Sequence, residues 1–261
     1  MICLIFFAIC FLASAAGAIC GIGGGVIIKP VLDAFGILDV NVISFLSGCT
    51  VLSMSCYSVV KAKMSGSSLV DMKTGTPLAI GAALGGVAGK MMFQYISGLA
   101  ADKDQVGAVQ AVCLLIITFG TMVYTLKKDK IKTHHVTNAG ACILIGLVLG
   151  IFSSFLGIGG GPINLVVLFF FFSMETKTAA QNSLYIILFS QIASLLNTLI
   201  TRTVPEFEAG LLILMVAGGI LGGAGGRVVN RRMDGAMVNK LFIGLMVIIM
   251  LICVYNIVQF M

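Results

Sequence analysis

The residues best suited to chemistry in this chain are two identical glycine-rich pentapeptides. Gly21-Ile22-Gly23-Gly24-Gly25 returns in the second half of the chain as Gly157-Ile158-Gly159-Gly160-Gly161, and each copy lies inside a long apolar stretch. Glycine is unfavourable inside a helix, so each pentapeptide predicts a helix break that exposes main-chain N–H groups. Hydrocarbon cannot satisfy such groups, and each break is therefore expected to face a cavity, a solute or neighbouring protein. The candidate binding residues are Gly23, Gly24, Gly25, Gly159, Gly160 and Gly161.

The chemistry that such breaks favour is anion binding. A helix that restarts after a break directs its unpaired N–H groups and the positive end of its dipole toward the break. The alternative is that the glycines only permit close helix packing, which is common in membranes. We favour a binding site because both pentapeptides also interrupt segments that are longer than one membrane span requires. A nucleotide-binding loop is disfavoured because the flanking strand and the basic-hydroxyl ending of that motif are missing.

Polar side chains near the breaks are candidates to complete the site. Lys29 is the only charged residue among the first 32. Its ammonium is expected to be paired, to reach toward lipid headgroups or to face a polar cavity. A counter-charge for the anion and a lysine that reaches the headgroups both stay open as its role. Amide and hydroxyl groups can donate to oxyanion oxygens without adding buried charge, although any one serine could instead bond to its own helix. The candidate side-chain donors are Ser47, Asn164, Gln181, Asn182 and Ser183.

Other reactive residue types give little support for catalysis. Asp33 is the only acid close to the interrupted segments, so a buried carboxylate relay is not expected. The eight cysteines are scattered through apolar segments without paired metal-ligand spacing, which predicts small packing residues. We expect no enzymatic activity, no cofactor and no metal.

Composition identifies the environment of the elements that must position these residues. The chain is 59% hydrophobic and 10% charged, with a mean hydropathy of +1.12, which excludes an ordinary soluble domain. It predicts an all-α, multi-pass integral membrane protein whose partner is the lipid bilayer. The glycine breaks add a small anionic substrate as a second expected partner, and no nucleic-acid partner is expected. The eight predicted hydrophobic helical segments are residues 2–35, 41–60, 75–97, 106–126, 137–172, 177–200, 208–230 and 236–260.

The segments form an internal repeat. Each residue of the first half has a counterpart in the second half at the separation that joins Gly21 to Gly157, which we call the repeat offset. From the third segment of each half onward, this separation is one residue longer. This offset pairs Asp39 with Glu175, Ser47 with Ser183, and Lys90 with Arg227. We predict a first transmembrane repeat over residues 1–126, a basic cytoplasmic connector over 127–136 and a second repeat over 137–261.

The sequence allows two topologies for the glycine-interrupted segments. Each is either a broken full span or a re-entrant hairpin. Hairpins in both halves would gather most lysines and arginines on one side of the membrane, as the usual bias of basic residues requires. We therefore favour hairpins and inverted repeats.

Two further features bear on processing and assembly. The apolar N-terminus resembles a signal peptide, but no basic residue precedes Lys29, and the segment has a counterpart deep in the chain, so we expect residues 1–25 to be retained. Glycines recur at every fourth position in two ladders, which predicts close helix packing. Such packing suits contacts within one chain or between copies, which leaves a homo-oligomer open. The ladder residues are Gly81, Gly85, Gly89, Gly218, Gly222 and Gly226.

Both glycine motifs resemble those of the TauE/SafE sulfite exporter-like family, also called the toluene-sulfonate uptake permease family. The resembling strings run from Gly21 through Lys29-Pro30 and from Gly157 through Pro162-Ile163-Asn164, each followed by a helix that contains Ser47 or Ser183. The resemblance covers essentially the whole chain. It implies transport of sulfite, organosulfonates or related small anions across a bacterial plasma membrane. The second copy departs from the pattern by carrying Val166 where the first has Pro30.

We therefore predict a membrane transporter of a small oxyanion such as sulfite or an organosulfonate. Export is favoured because an inside-negative potential drives anions outward. Alternating access would expose an anion bound at the paired glycine clusters to each side in turn. An anion channel is the first alternative, and a membrane protein that handles thiols or metals is the second.

Overall fold

The protein is built from α-helices. The computed structural model describes residues 2–99 and 103–260, and within these ranges the chain forms ten α-helices, one short 3-10 segment and no strand. The first five helices are α1 (Ile2–Cys20), α2 (Gly25–Phe35), α3 (Val40–Met64), α4 (Met72–Leu99) and α5 (Lys103–Lys127). The second five are α6 (Ala139–Phe155), α7 (Pro162–Phe172), α8 (Thr176–Ile200), α9 (Ala209–Arg232) and α10 (Gly235–Phe260).

The helices have the length and apolar character of membrane spans. Seven of those in the described ranges are long and apolar enough to cross a bilayer, namely α1, α3, α4, α5, α8, α9 and α10. Helices α6 and α7 are apolar but shorter, with 17 and 11 residues. The predicted all-α membrane architecture is confirmed. All the predicted apolar segments are helical, and the first and fifth each consist of two helices separated by a glycine pentapeptide.

Local sequence explains where several helices begin and end. Asn138 caps α6, because its Oδ1 accepts a hydrogen bond of 2.8 Å from the N–H of Gly140. Pro162 opens α7, where its missing N–H leaves no bond unmade. Helix α2 ends at Phe35 and is followed by Gly36, whose left-handed φ of 60° suits glycine. Helix ends of this kind depend on neighbouring residues and can be predicted from sequence.

Contacts between helix ends support the hairpin interpretation of both interrupted segments. The N–H groups of His134 and Val136, just before α6, donate to the carbonyls of Phe170 and Phe171 near the end of α7, at 2.7 and 2.9 Å. The start of α6 and the end of α7 therefore lie together. In the other half, Phe6 of α1 shares a buried apolar cluster with residues near the end of α2 and the start of α3.

The two halves pack on each other in a reciprocal way. Helix α4 packs along α6 and α9 packs along α1, while α3 lies against α8. One cavity is lined by Asn41 at the start of α3 and by Thr203 just after α8. Another is lined by Ala62 near the end of α3 and by Lys177 at the start of α8. Helices α3 and α8 are thus antiparallel, which supports inverted repeats; the boundaries at 126 and 136 stay predictions.

Both glycine ladders form contacts between helices of the same chain, and they bring the helix backbones close together. A Cβ on Gly85 would meet the carbonyl of Leu147 in α6, and a Cβ on Gly222 would meet the carbonyl of Phe11 in α1. Any larger residue would separate the helices. Each ladder therefore fixes one glycine-interrupted hairpin against the other half of the molecule.

Candidate functional site

Each glycine pentapeptide makes a sharp turn between two helices. Gly21 and Gly23 have φ angles of 78° and 74°, and their counterparts Gly157 and Gly159 have 65° and 67°. These values lie in the left-handed region that L-residues with a side chain rarely adopt. The same two positions of both copies thus require glycine, which explains why the pentapeptide is repeated.

The two pentapeptides touch each other in the interior. A Cβ added to Gly25 would collide with the carbonyl oxygen of Ile158. A Cβ on Gly23 would lie 3.5 Å from the carbonyl oxygen of Gly159, and one on Gly160 would lie 3.4 Å from that of Ile22. The backbones of the two breaks are therefore in direct contact, although they come from opposite halves of the sequence.

Each pentapeptide is also seated on the long helix of the other half. A Cβ on Gly21 would meet Ala180 of α8, and a Cβ on Gly157 would come within 2.6 Å of the Ser44 hydroxyl in α3. Ser44 and Ala180 are themselves equivalent under the repeat offset. The junction, by which we mean residues 21–25 and 157–161, is therefore built from exchanged contacts between the two halves.

The junction contains backbone donors without acceptors. Within the part of the chain that the structure describes, the N–H groups of residues 23–25 and 159–161 form no hydrogen bond, whereas those of Gly21 and Gly157 bond to preceding carbonyls. These six residues are all buried. Unpaired buried N–H groups are rare in folded proteins. Their concentration here makes the junction the candidate binding site for a hydrogen-bond acceptor.

Two predicted serines, one from each half, lie on the helix faces whose other residues contact this junction. Ser47 lies on the face of α3 that carries Ser44 and Val51, and both of those residues contact junction glycines. Ser183 lies on the equivalent face of α8, between Ala180 and the junction contact Ile187. Both serines are fully buried, and neither hydroxyl has a hydrogen-bond partner among the described residues.

Asn164 adds a third buried and unpartnered side chain. It lies in the first turn of α7, just beyond Gly161, and is 1% exposed. Neither its amide nitrogen nor its amide oxygen has a hydrogen-bond partner in the described chain. A buried primary amide left unpaired is costly, so a ligand or water is expected to satisfy it.

Gln181 and Asn182 form hydrogen bonds to the segment between α3 and α4. The Gln181 Oε1 accepts a hydrogen bond of 2.8 Å from the N–H of Leu69, and its amide nitrogen donates to the carbonyl of Ser67. Asn182 donates to the carbonyl of Leu69 at 3.2 Å and to that of Thr178 at 2.9 Å. Both side chains therefore hold the connection between α3 and α4, and only the Asn182 oxygen is unpartnered.

Lys29 is buried and paired. Its Nζ donates to Oδ2 of Asp33 at 2.6 Å, one helical turn away, and the two side chains are 3% and 6% exposed. Its Cε lies 3.3 Å from the position of a Cβ on Gly157, so the lysine stem runs past the second pentapeptide. The charge is near the junction and has a partner, so Lys29 adopts the paired arrangement, one of those expected from sequence.

Three further polar residues at the junction were not assigned from sequence. The Gln191 amide nitrogen lies against Gly159, Ser44 lies against Gly157, and the Ser14 hydroxyl lies 2.9 Å from the Cβ position of Gly24. Ser44 and Gln191 belong to polar stripes of their helices, a signal that sequence contains. Ser14 lies in an apolar stretch with no such signal. It is close to Gly24 because α1 and α2 form a hairpin, which sequence does not show directly.

Two cavities lie at opposite ends of the antiparallel α3–α8 pair. The arginine cavity, of about 320 Å³, is lined by polar and basic side chains that include Lys177, Arg227 and Arg231. The lysine cavity, of about 360 Å³, is lined by several polar side chains. Three of them are the repeat counterparts of the basic residues of the arginine cavity. Asn41 corresponds to Lys177, Lys90 to Arg227 and Gln94 to Arg231.

An apolar layer separates the arginine cavity from the junction. Ala18 and Leu184 line the cavity and belong to one buried cluster with Val51, Met54 and Ile187. Val51 and Ile187 also contact the junction glycines. A solute in the cavity would therefore need this layer to open before it reached the buried N–H groups.

These features define a multi-pass membrane protein with two interrupted helical hairpins that meet inside it. The profile of the family described as Sulfite exporter TauE/SafE matches residues 6–252. The chain belongs to this family and is a membrane transporter of the cell membrane. The resemblance of the chain to this family is thus confirmed.

A similar protein supports the same class. The chain is similar to the Probable membrane transporter protein YunE of Bacillus subtilis (strain 168), with 22% identity over 245 residues, covering 85% of this chain and 86% of that protein. No solved structure matches the chain.

Proposed function

We propose that this transporter moves a small oxyanion such as sulfite or an organosulfonate, and that the anion binds at the junction of the two pentapeptides. The observation that carries the proposal is the group of buried N–H donors at residues 23–25 and 159–161, none of which has an acceptor in the described chain. Two helices, α2 and α7, begin at this group, so their positive dipole ends favour negative charge.

Neutral side chains would complete the coordination. Ser47, Asn164 and Ser183 are buried and unpartnered, and hydroxyl and amide groups donate to oxyanion oxygens. Neutral donors do not carry the large desolvation cost of a second buried charge. Gln181 and Asn182, which hold the α3–α4 connection, act in this proposal through the shape of the site, while Gln191 and Ser44 join its wall.

Alternating access is the transport mode that this arrangement supports best. The junction is buried, a cavity approaches it from each end of α3 and α8, and an apolar layer closes it off from the arginine cavity. Rocking of one half against the other would open the junction to each cavity in turn. A channel would instead need a continuous polar path.

Export is the direction that requires the least additional machinery. An inside-negative potential of 100 mV favours exit of a monovalent anion by about 2.3 kcal/mol. The buried Lys29–Asp33 ion pair is a group on which proton coupling could draw. The basic end of the molecule is expected to face the cytoplasm, which places the arginine cavity on the side from which an exported anion enters.

The test is flux in proteoliposomes across sulfite, sulfate, an alkanesulfonate, acetate and phosphate. We expect saturable flux of sulfite or the sulfonate, together with acceleration by the same anion on the opposite side, because a carrier returns faster when loaded. Flux that does not saturate and shows no such acceleration would identify a channel. Absence of flux for every sulfur oxyanion, with the protein folded, would overturn the proposal.

A further inference from the structure

The arginine cavity contains an unusual concentration of positive charge. Lys177, Arg227 and Arg231 all line it, and no acidic residue does among those that the structure describes. We infer that this cavity is a second oxyanion site, which captures the substrate from one side of the membrane before the junction opens. The inference rests on the proposed function but concerns different residues.

The two arginines are held together by the chain rather than by counter-charges. The Arg227 guanidinium donates to the hydroxyls of Ser65 and Ser67 at 2.7 and 2.9 Å, and Arg231 donates to the same hydroxyls at 3.1 and 3.2 Å. Neither arginine forms an ion pair with a carboxylate in the described ranges. Two cations that converge without an anion create a positive potential that attracts one.

The cavity also retains donors for a ligand. Arg231 uses only Nη2 in its hydrogen bonds to the described chain, although a guanidinium carries five N–H donors. Lys177 is half-buried on the cavity wall and has no ion pair with any described residue. A guanidinium fork and a nearby ammonium match a ligand with two or three terminal oxygens on one sulfur or phosphorus atom.

The cavity at the other end of the molecule shows that the fold alone does not produce this charge. The counterparts of Lys177, Arg227 and Arg231 are Asn41, Lys90 and Gln94, so one cation replaces three. The Lys90 ammonium also lies over the Phe93 ring, 5.0 Å from its centroid. Capture is therefore expected at one end only, and the bias of basic residues places that end in the cytoplasm.

The position of the cavity suits a waiting site. Ala18 and Leu184 line it and also belong to the apolar layer that contacts the junction. Asn230, on the same wall, donates to the carbonyl of Ile19 at 2.6 Å, shortly before Gly21. A captured anion would thus stand one side-chain layer from the unpaired N–H groups of the junction.

Sided transport kinetics test this inference. Sulfite uptake is measured in inside-out and right-side-out membrane vesicles for the parent, Arg231→Gln, Lys177→Gln and the control Arg232→Gln. Arg232 is an exposed neighbour that does not line the cavity. We expect Arg231→Gln and Lys177→Gln each to raise KM about tenfold for entry from the arginine-cavity side, because each variant loses a charged hydrogen bond to the anion. The KM for entry from the other side should stay unchanged.

Other variants separate binding from structural support. Arg227 also donates to the carbonyl of Ser58 at 2.8 Å, so its replacement could disturb α3 and is not used. Arg231→Lys keeps the charge and should recover part of the affinity, which a purely structural role of the fork would not allow. Thermal unfolding of each purified variant must match that of the parent for the comparison to hold, and Lys177→Gln provides the test if Arg231→Gln fails to fold.

A lipid headgroup offers the same phosphate chemistry as a free anion. The KM ratio of Arg231→Gln to parent is therefore measured in phosphatidylcholine vesicles with and without phosphatidylglycerol. Capture of a soluble anion predicts the same ratio in both, whereas a ratio that appears only with the anionic lipid would assign the cavity to headgroups and overturn the inference. Parental flux with normal sided KM values in both variants would also overturn it, while leaving the junction proposal intact. Absence of parental flux would remove both.

Discussion

The carbonyl oxygen of Ile158 occupies the space in which a side chain on Gly25 would have to begin. This contact joins the first pentapeptide to the second, and it lies at the point where α2 starts. Backbone atoms on both sides leave no flexible group that could move away. The closeness of the two halves at the proposed site therefore depends on the absence of a single methyl group.

Gly25→Ala should abolish transport and lower the melting temperature. Overpacking of a tight interior costs about 1–3 kcal/mol, and the required shift would separate the two pentapeptides. Gly244→Ala is the control, because a Cβ there meets nothing within 4 Å. Flux and thermal unfolding of both variants test the prediction, and normal flux in Gly25→Ala would show that close contact at the junction is not needed.

The α9 ladder offers a matched pair of substitutions within one helix. A Cβ on Gly222 would meet the Phe11 carbonyl, whereas a Cβ on Gly225 meets nothing within 4 Å. We expect Gly222→Ala to destabilise the protein by about 1–3 kcal/mol and Gly225→Ala to be neutral or slightly stabilising. Detergent-solubilised thermal unfolding measures both. Equal melting temperatures would contradict the assignment of this ladder to contacts within the chain.

The Lys29–Asp33 pair should behave as a unit. Lys29→Met leaves a buried carboxylate unpaired, and removal of one partner of a buried pair costs about 3–5 kcal/mol. Lys29→Met/Asp33→Leu removes both charges and should recover most of that stability. If the double variant is stable yet transports nothing, Lys29 or Asp33 serves the substrate directly; full flux would assign the pair to structure.

Ser47→Ala and Ser183→Ala should each weaken substrate binding by similar amounts. Both hydroxyls are buried without partners in the described chain, on equivalent faces of α3 and α8, so each variant loses one bond to the anion and leaves no protein group unpaired. The expected rise in KM is about tenfold, from a charged hydrogen bond of about 1.5 kcal/mol. Ser53→Ala is the control, since its hydroxyl donates to the Cys49 carbonyl at 2.8 Å. An unchanged KM in both site variants would remove the two serines from the site.

Membrane potential should drive uncoupled export. At 100 mV, the outward gradient of a monovalent anion at equilibrium is about 50-fold, corresponding to about 2.3 kcal/mol. A potassium diffusion potential across proteoliposomes loaded with sulfite or a sulfonate measures this directly. Flux that follows a pH gradient and ignores the potential would instead indicate proton coupling. Asp33 is the candidate acid, because its partner Lys29 runs past Gly157 of the junction.

Sequence was sufficient for much of the fold. Long apolar runs, an internal duplication and glycine interruptions predict helices, their order and the two breaks, because each depends on residues close together in the chain. Asn164 could be proposed as a donor for the same reason, since it closely follows Gly161. Ser47 and Ser183 could be proposed because they occupy equivalent positions in the two repeats. Gln181 and Asn182 could be found as polar residues, but their bonds to the α3–α4 connection could not.

What sequence alone determined is therefore membrane residence, helical class and the duplicated glycine turns, all of which follow from hydropathy and backbone conformational preference. Tertiary structure decided that the two turns touch and that three cations share one cavity. These relationships join residues across helices and across the two halves of the chain. They depend on how helices pack, which no local pattern of residues specifies.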